Sequence, residues 1–208
     1  MTADLGYSGE MTPFHWGDDF AAISFVVQQM ISRIAGATLV QVVSVTNSGG
    51  VAPVGSVDVS PMVSMIDGQG RTSPHGIIHN LPYFRLQGGA NAIIIDPVIG
   101  DIGIAVFADR DLTAVKSTKA PGPPGSRRRN SMADGLYIGG VLNGAPTQYI
   151  EFNGSGVTIT APTVTVNGNL VVTGTATIDG DATIDGEDFI MHRHTGVQTG
   201  GSDTGPVA

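Results

Sequence analysis

Two histidines near the C-terminus, His192 and His194, have the type and spacing of metal ligands. On a β-strand, residues two apart point to the same side and lie about 7 Å apart along the chain. Both imidazoles would therefore face one way while Arg193 faces the other. Around a three-fold axis, three such chains would bring six imidazoles together. Six nitrogen ligands suit an octahedral metal such as iron, nickel or cobalt better than tetrahedral zinc.

A six-residue repeat leads into this histidine pair. Glycines recur at Gly168, Gly174, Gly180 and Gly186, and the units between them are similar: GNLVVT, GTATID, GDATID and GEDFIM. The second and fourth residues after each glycine are mostly apolar, which places one face of a strand inward. Each glycine would supply the corner at which the chain turns. This position at the end of a β-repeat favours the metal site over the alternative, an exposed polar turn that happens to contain two histidines.

A single copy of the repeat has too little apolar surface to fold alone. Its inward side chains are small, and at about 25 cal/mol per Å² their burial would not offset an ordering cost of roughly 1 to 2 kcal/mol per residue. Units this short have to stack on neighbours or on other chains. The sequence therefore predicts an intertwined homo-oligomer, most simply a homotrimer.

Composition favours an all-β fold and excludes several classes of function. Among 208 residues there are 30 Gly and 12 Pro, with 13% charged residues, which is typical of a turn-rich β protein. The chain has no cysteine, so no disulfide is expected. A formal charge of −8 disfavours nucleic-acid binding and favours solubility. We find no cleavable signal peptide and no uninterrupted apolar run of about 20 residues, so we expect a soluble protein.

The chain divides into five segments. Residues 1–35 are an N-terminal segment with one short helix, because apolar residues recur near the helical period between Asp18 and Ile34, and Asp18 and Asp19 are available as caps. Residues 36–116 resemble the short strands and turns of a small β-barrel. The candidate strands there are 38–46, 57–66, 93–96 and 102–108. The remaining segments are a Pro/Gly and Arg-rich linker at 117–131, the β-repeat region at 132–190 and the apex at 191–208.

Basic residues are few in the barrel segment and clustered in the linker. Small barrels that bind nucleic acid use a basic and aromatic groove, and Arg71 and Arg85 are too few to form one. The triplet at 127–129 is predicted to be a solvated loop, and contact with an acidic partner is the alternative.

Several stretches resemble the central spike proteins of contractile-tailed phages, also called baseplate assembly protein V, and most of all their Mu-like and P2-like branch. The resemblance covers roughly residues 30 to 208. Its most specific parts are the Asp-Pro-x-x-Gly-Asp-x-Gly stretch at 96–103 and the His-x-His pair. The stretches that carry it are residues 96–111, Gly-Ser-Arg-Arg-Arg at 125–129, Asp-Gly-Leu-Tyr at 134–137 and His-Arg-His-Thr-Gly at 192–196.

The resemblance implies a fold and a metal. The expected architecture is an N-terminal oligonucleotide/oligosaccharide-binding (OB) fold barrel at 36–116, followed by an intertwined trimeric triple-stranded β-helix at 132–190 that narrows to a needle tip. One iron ion per trimer would close this tip, held by His192 and His194 of three chains. Some members of the family also hold calcium and chloride inside the helix, but no ligand pattern in this chain identifies such sites.

The resemblance also implies a function without catalysis. Such a spike is a structural virion protein, assembled in the host cytoplasm at the centre of the tail baseplate. Its partners are the baseplate hub and the tail-tube proteins, and contraction of the sheath drives it into the host outer membrane.

Two other classes are open to the same residues. The six-residue period is similar to that of left-handed β-helix acyltransferases, but those enzymes contain many more coils within one chain. The sequence also has no Gly-x-Ser-x-Gly, phosphate-binding loop or His-Glu-x-x-His motif, so we expect no enzyme. The remaining alternative is a trimeric receptor-binding tail fibre or adhesin without a piercing role. It would end in a broad polar or aromatic surface instead of a metal-closed point.

Overall fold

The computed structural model describes residues 17–190, except residues 33, 35 and 67–69. The described part is mostly β-structure, as expected, with two α-helices, α1 at Asp19–Ile31 and α2 at Thr113–Thr118. The chain divides into two compact units, Met1–Ala145 and Pro146–Ala208. No helix in the described part is long and apolar enough to cross a membrane.

Helix α1 confirms the helix expected between Asp18 and Ile34. Asp18 is its N-cap, and its Oδ1 accepts a hydrogen bond from the backbone N–H of Ala21 at 2.7 Å. This contact satisfies one of the backbone donors that the first turn of a helix leaves unpaired.

A five-stranded antiparallel sheet, curled into a half-barrel, organises the N-terminal unit. Its strand order is β5-β2-β1-β8-β9, and two small hairpins, β3 with β4 and β6 with β7, lie outside it. The strands of this unit are β1 Ala37–Thr46, β2 Ser56–Pro61, β3 Met65–Ile66, β4 Thr72–Ser73, β5 Ile78–Pro82, β6 Leu86–Gly88, β7 Asn91–Ile93, β8 Ile102–Phe107 and β9 Gly135–Ile138.

The two ends of the curled sheet approach each other. Just after β5, Tyr83 forms a parallel bridge with Tyr137 of β9. The Phe84 N–H donates to the Tyr137 carbonyl at 2.8 Å. A register shift between Val42 and Ser44 interrupts the pairing of β1 with β2, and irregularities of this kind bend a strand and increase its twist. These features allow a sheet of short strands to curl.

The core of this unit is small and built from alternating residues. In β2, Val57 and Val59 are buried while their neighbours are half-buried, which is the two-residue period of a strand with one inward face. Buried residues of all five sheet strands, with Tyr83 just beyond β5, make up the cluster: Val40, Val42, Val57, Val59, Ile78, Leu81, Tyr83, Ala105 and Tyr137.

Of the four expected strands, two are confirmed, one is divided in two and one is wrong. Strands β1 and β8 confirm the predictions at 38–46 and 102–108, while the stretch 57–66 divides into β2 and β3. The strand expected at 93–96 is a correction, since it overlaps β7 only at Ile93. Strand β5 was missed because it is short, ends in proline and includes Asn80 with a positive φ of 61°.

The sheet also extends past the segment in which the barrel was expected. Its edge strand β9 lies within 132–190, the stretch assigned to the β-helix, and pairs with β8 across the intervening linker. Composition marks the linker but carries no information on which strands pair across it. The N-terminal unit therefore continues to Ala145.

We predict that Leu81→Ala destabilises the N-terminal unit by about 3 kcal/mol, because a fully buried leucine leaves a cavity when it is truncated. Urea unfolding followed by circular dichroism measures the change. The matched control is Leu86→Ala, since Leu86 is 60% exposed and its truncation should cost less than about 1 kcal/mol. Equal losses for the two variants would contradict this assignment of the core.

Candidate functional site

The predicted metal ligands His192 and His194 lie outside the described residues, which end at residue 190. Within the described residues, no group of three or more His, Cys, Asp or Glu side chains is placed to hold a metal ion. The predicted histidine site therefore stays a prediction. The described part of the C-terminal unit, residues 146–190, shows what lies before it in the chain.

The first element of that unit is an amphipathic hairpin of β10, Tyr149–Asn153, and β11, Gly156–Thr160. Ile150 lies opposite Ile159, and Phe152 lies opposite Val157. Residues directly opposite each other in an antiparallel pair share a face, so these four side chains form one apolar face. The other face is largely polar, with Glu151 opposite Thr158.

Nothing within the described chain covers the apolar face of this hairpin. Its four side chains are all more than half exposed, and Phe152 is 79% exposed. An isolated two-stranded hairpin is at best marginally stable in water. Its apolar face is therefore left without cover by the described residues.

Residues 161–182 carry the glycine repeat and contain no helix or strand. Between 146 and 190, only Thr160 and Ala182 are even half-buried among the residues whose burial is described. We call the Val, Ile, Leu and Phe side chains of residues 146–190 the C-terminal apolar surface, and each is between 52% and 80% exposed. Its members are Ile150, Phe152, Val157, Ile159, Val164, Val166, Leu170, Val171, Val172, Ile178, Ile184, Phe189 and Ile190.

The last two repeat units form a tight hairpin of β12, Thr183–Ile184, and β13, Glu187–Asp188. Its two loop residues, Asp185 and Gly186, have φ values of 54° and 85°. Two positive φ values in a two-residue loop are those of a type I′ turn, for which Asp-Gly is a preferred sequence. The predicted role of glycine at corners of the repeat is thus confirmed at Gly186.

The arginine triplet at 127–129 finds its acidic partners within its own chain. Arg128 forms a two-point contact with Asp134, with Nη2–Oδ1 at 2.8 Å and Nε–Oδ2 at 2.9 Å. Its Nη2 also lies 3.3 Å from Oδ1 of Asp111. Arg129 is 3.4 Å from Asp109 in a more exposed pair. The expectation of a merely solvated loop is therefore wrong for Arg128, which joins the linker to the half-barrel unit.

The two carboxylates of this cluster are buried and well hydrogen-bonded. Asp111 accepts hydrogen bonds from Ser126 Oγ at 2.6 Å and from the Thr113 N–H at 2.8 Å, and these contacts hold its pKa far below its ordinary value. The hydrogen bond from Arg128 lowers the pKa of Asp134, and the Leu112 N–H adds to it. Sequence reasoning missed the cluster because its members are up to 23 residues apart, from Asp111 to Asp134.

Gly100, Asp101 and Gly103 of the Asp-Pro-x-x-Gly-Asp-x-Gly stretch have structural roles. The Val98 N–H donates to Asp101 Oδ2 at 2.9 Å, which closes the turn. At Gly100, φ is 97°, a conformation that favours glycine. A Cβ at Gly103 would lie 2.6 Å from the Tyr137 ring and from the Ile138 carbonyl. These contacts make the stretch a corner that seats β8 against β9.

A cavity of about 480 Å³ lies beside that corner. At its wall, Asp96 Oδ1 accepts hydrogen bonds from Arg85 Nη2 at 2.6 Å and from Tyr83 Oη at 3.0 Å. Arg85 Nη1 also donates to the Ala52 carbonyl at 2.7 Å. The hydrogen bond between Arg85 and Asp96 raises the pKa of Arg85 and lowers that of Asp96. Arg85, one of the two arginines considered for a nucleic-acid groove, is thus engaged within its own chain.

Comparison with known proteins does not extend this picture, since no protein-family model and no curated protein sequence matches the chain.

We predict that Asp134→Asn lowers the free energy of unfolding at pH 7 by about 2 kcal/mol, because it breaks a buried charge-assisted contact whose arginine can still reach solvent. The folded-state pKa values of Asp111 and Asp134 are lowered, so their contribution is fully present above the unfolded pKa of about 4 and is lost as the pH falls below it. Urea unfolding at fixed protein concentration between pH 7 and pH 3 should show the gap between wild type and variant narrowing.

The matched control for this prediction is Asp109→Asn, which removes the exposed pair with Arg129. Its effect should stay within about 0.5 kcal/mol at every pH. If both variants behave alike, Arg128 does not anchor the linker through Asp134.

Proposed function

We propose that this chain is the subunit of a homotrimeric spike, at the centre of the baseplate of a contractile phage tail, that pierces the host outer membrane. The observation that carries the proposal is the C-terminal apolar surface, which the described residues of the chain leave uncovered. The resemblance at residues 96–111, 125–129, 134–137 and 192–196 indicates which kind of trimer it is.

The balance between the entropy cost of ordering and the free energy of side-chain burial supports intertwining of the C-terminal segment. Ordering a residue costs roughly 1 to 2 kcal/mol of backbone entropy, and residues 161–182 of a single chain have no strand pairing to offset it. Full burial of a side chain such as Leu170 or Ile178 would contribute roughly 1.5 to 3 kcal/mol. Three chains wound as a triple-stranded β-helix would supply both the strand partners and the cover.

The half-barrel is the base of the spike in this proposal. An OB-fold is a five-stranded, partly open Greek-key barrel. The strand order β5-β2-β1-β8-β9 and the parallel bridge between Tyr83 and Tyr137 are compatible with such a barrel. Its arginines Arg85 and Arg128 serve internal ion pairs, which supports a structural role in place of nucleic-acid binding. The baseplate hub and tail-tube proteins are its proposed partners.

The proposed tip is held by His192 and His194 of three chains around one iron ion. These histidines fit an iron ion, because six imidazole nitrogens match an octahedral transition metal. When bound, the metal would cross-link three chains at the point where a β-helix otherwise has unpaired strand edges. Binding to the assembled ligands alone would also stabilise the trimer by linkage. A tip that resists fraying is what a piercing device requires.

We predict that the purified chain is a trimer and that Ile159→Lys disrupts it. The lysine would place a charge in the apolar face that three chains are proposed to bury, at a cost of several kcal/mol per copy. Light scattering coupled to size-exclusion chromatography measures the mass.

The matched control for the trimer prediction is Thr158→Lys, one residue away on the polar face and opposite Glu151. It should leave the trimer intact. A wild-type monomer would contradict the proposal, as would an Ile159→Lys variant that assembles as well as Thr158→Lys.

We also predict about one iron per three chains, and its loss in a His192→Ala/His194→Ala double variant. Elemental analysis measures the metal, and thermal unfolding should show a less stable trimer without it. The control is His75→Ala/His79→Ala, which changes two histidines of the other unit. Unchanged metal content in the His192/His194 variant would sink the assignment of the ligands. A metal-free wild-type trimer would favour the receptor-binding fibre or adhesin over the spike.

A further inference from the structure

Helix α1 carries an apolar stripe, between 45% and 79% exposed at every apolar position, with Asp19 of the first turn on the same arc. At 3.6 residues per turn its members span about 140° of the helix circumference. We call these residues the α1 stripe: Phe20, Ile23, Val26, Val27, Met30 and Ile31.

The remaining circumference of the helix is different in character. The half-buried residues of α1 lie outside the arc of the stripe: Ala21, Ala22, Ser24, Phe25 and Gln29. The helix thus has one partly covered side and one open side. No described residue of the chain covers the open side.

The spacing within the α1 stripe is that of a helix-to-helix seam. Phe20, Ile23, Val27 and Met30 are separated by three, four and three residues, and Ile34, just past the helix end, continues the pattern at four. Alternating steps of three and four residues place side chains along the seam of a coiled coil, where each inserts between residues of the facing helix. Two copies of α1 with this spacing can therefore pack against each other through their stripes.

Charge and length narrow the choice of what covers the stripe. The helix has 13 residues, fewer than the roughly 20 that span a membrane. A helix that lies on a membrane surface carries Lys or Arg on its polar face, and α1 contains no basic residue. Its only charged residue is Asp19, in the first turn, so ion pairs cannot select a partner. A helix with the same spacing and no basic residue fits best, and each further copy of this chain provides one.

We propose that the α1 stripes of the three copies pack against one another as a short parallel three-helix seam. This inference rests on the homotrimer of the proposed function. Fully burying an aliphatic side chain removes on the order of 100 Å² from water. Because the six stripe residues are only 45% to 79% exposed, they offer roughly 350 Å² per copy, against about 800 Å² per partner in a stable interface. The seam is therefore a second contact that forms because the C-terminal segments already hold the copies together.

Cysteine cross-linking tests the seam directly, since the natural chain has no cysteine to give a background. The variant is Val27→Cys, in the middle of the seam, in the full-length trimer under a mild catalytic oxidant. The control is Gln28→Cys, the next residue, which is exposed and points about 130° away from the centre of the stripe. Non-reducing electrophoresis should show covalent dimers forming at least tenfold faster for Val27→Cys.

The outcomes separate this inference from the trimer itself. If light scattering finds a trimer but Val27→Cys cross-links no faster than Gln28→Cys, the helix seam is wrong and the trimer stands. A monomeric protein overturns both. If Val27→Cys does not fold, Ile23→Cys, about one turn earlier in the same seam, carries the same expectation.

Discussion

The proposed assembly depends on one constraint, which is that the described C-terminal segment, residues 146–190, does not bury its own apolar side chains. Between residues 146 and 190 no residue of described burial is buried, although the segment alternates apolar and polar residues as a strand does. In a folded protein such a surface marks an interaction site. Because the surface is spread along the repeat and not gathered into one patch, the partner has to follow the segment along its length. Further copies of the same repeat do this most simply, since identical six-residue units match in register.

The N-terminal unit differs from the C-terminal segment because it has a small core of its own and internal ion pairs. Its valine-rich cluster is small, and ion pairs at the periphery fix the segments that leave the sheet. Arg128 with Asp134 fastens the linker, while Arg85 with Asp96 fastens the loop before β8.

Local patterns predicted local structure well, and long-range pairing was beyond them. The helix at α1, the strands β1 and β8 and the corner at Gly186 follow from periodicity, capping and turn chemistry within a few residues. Strand β9 and the Arg128 cluster depend on residues brought together across the linker, and a single sequence does not encode those pairs in any short window. The metal site was predicted from the spacing of His192 and His194, from their position after the β-repeat and from the family resemblance, and these residues lie outside the described part of the chain. The described structure shows that the apolar side chains of the repeat are exposed, whereas strand pairing between copies belongs to the proposed assembly.

The central claim is that residues 161–182, which have no strand pairing within one chain, pair with the same residues of other copies. Hydrogen–deuterium exchange of the backbone amides in this stretch tests it most directly, because hydrogen-bonded amides in an intertwined β-structure exchange only when the structure opens. The account predicts strong protection there in the purified protein, comparable to that of β1 and β8. Exchange at the rate of an unstructured peptide would contradict it.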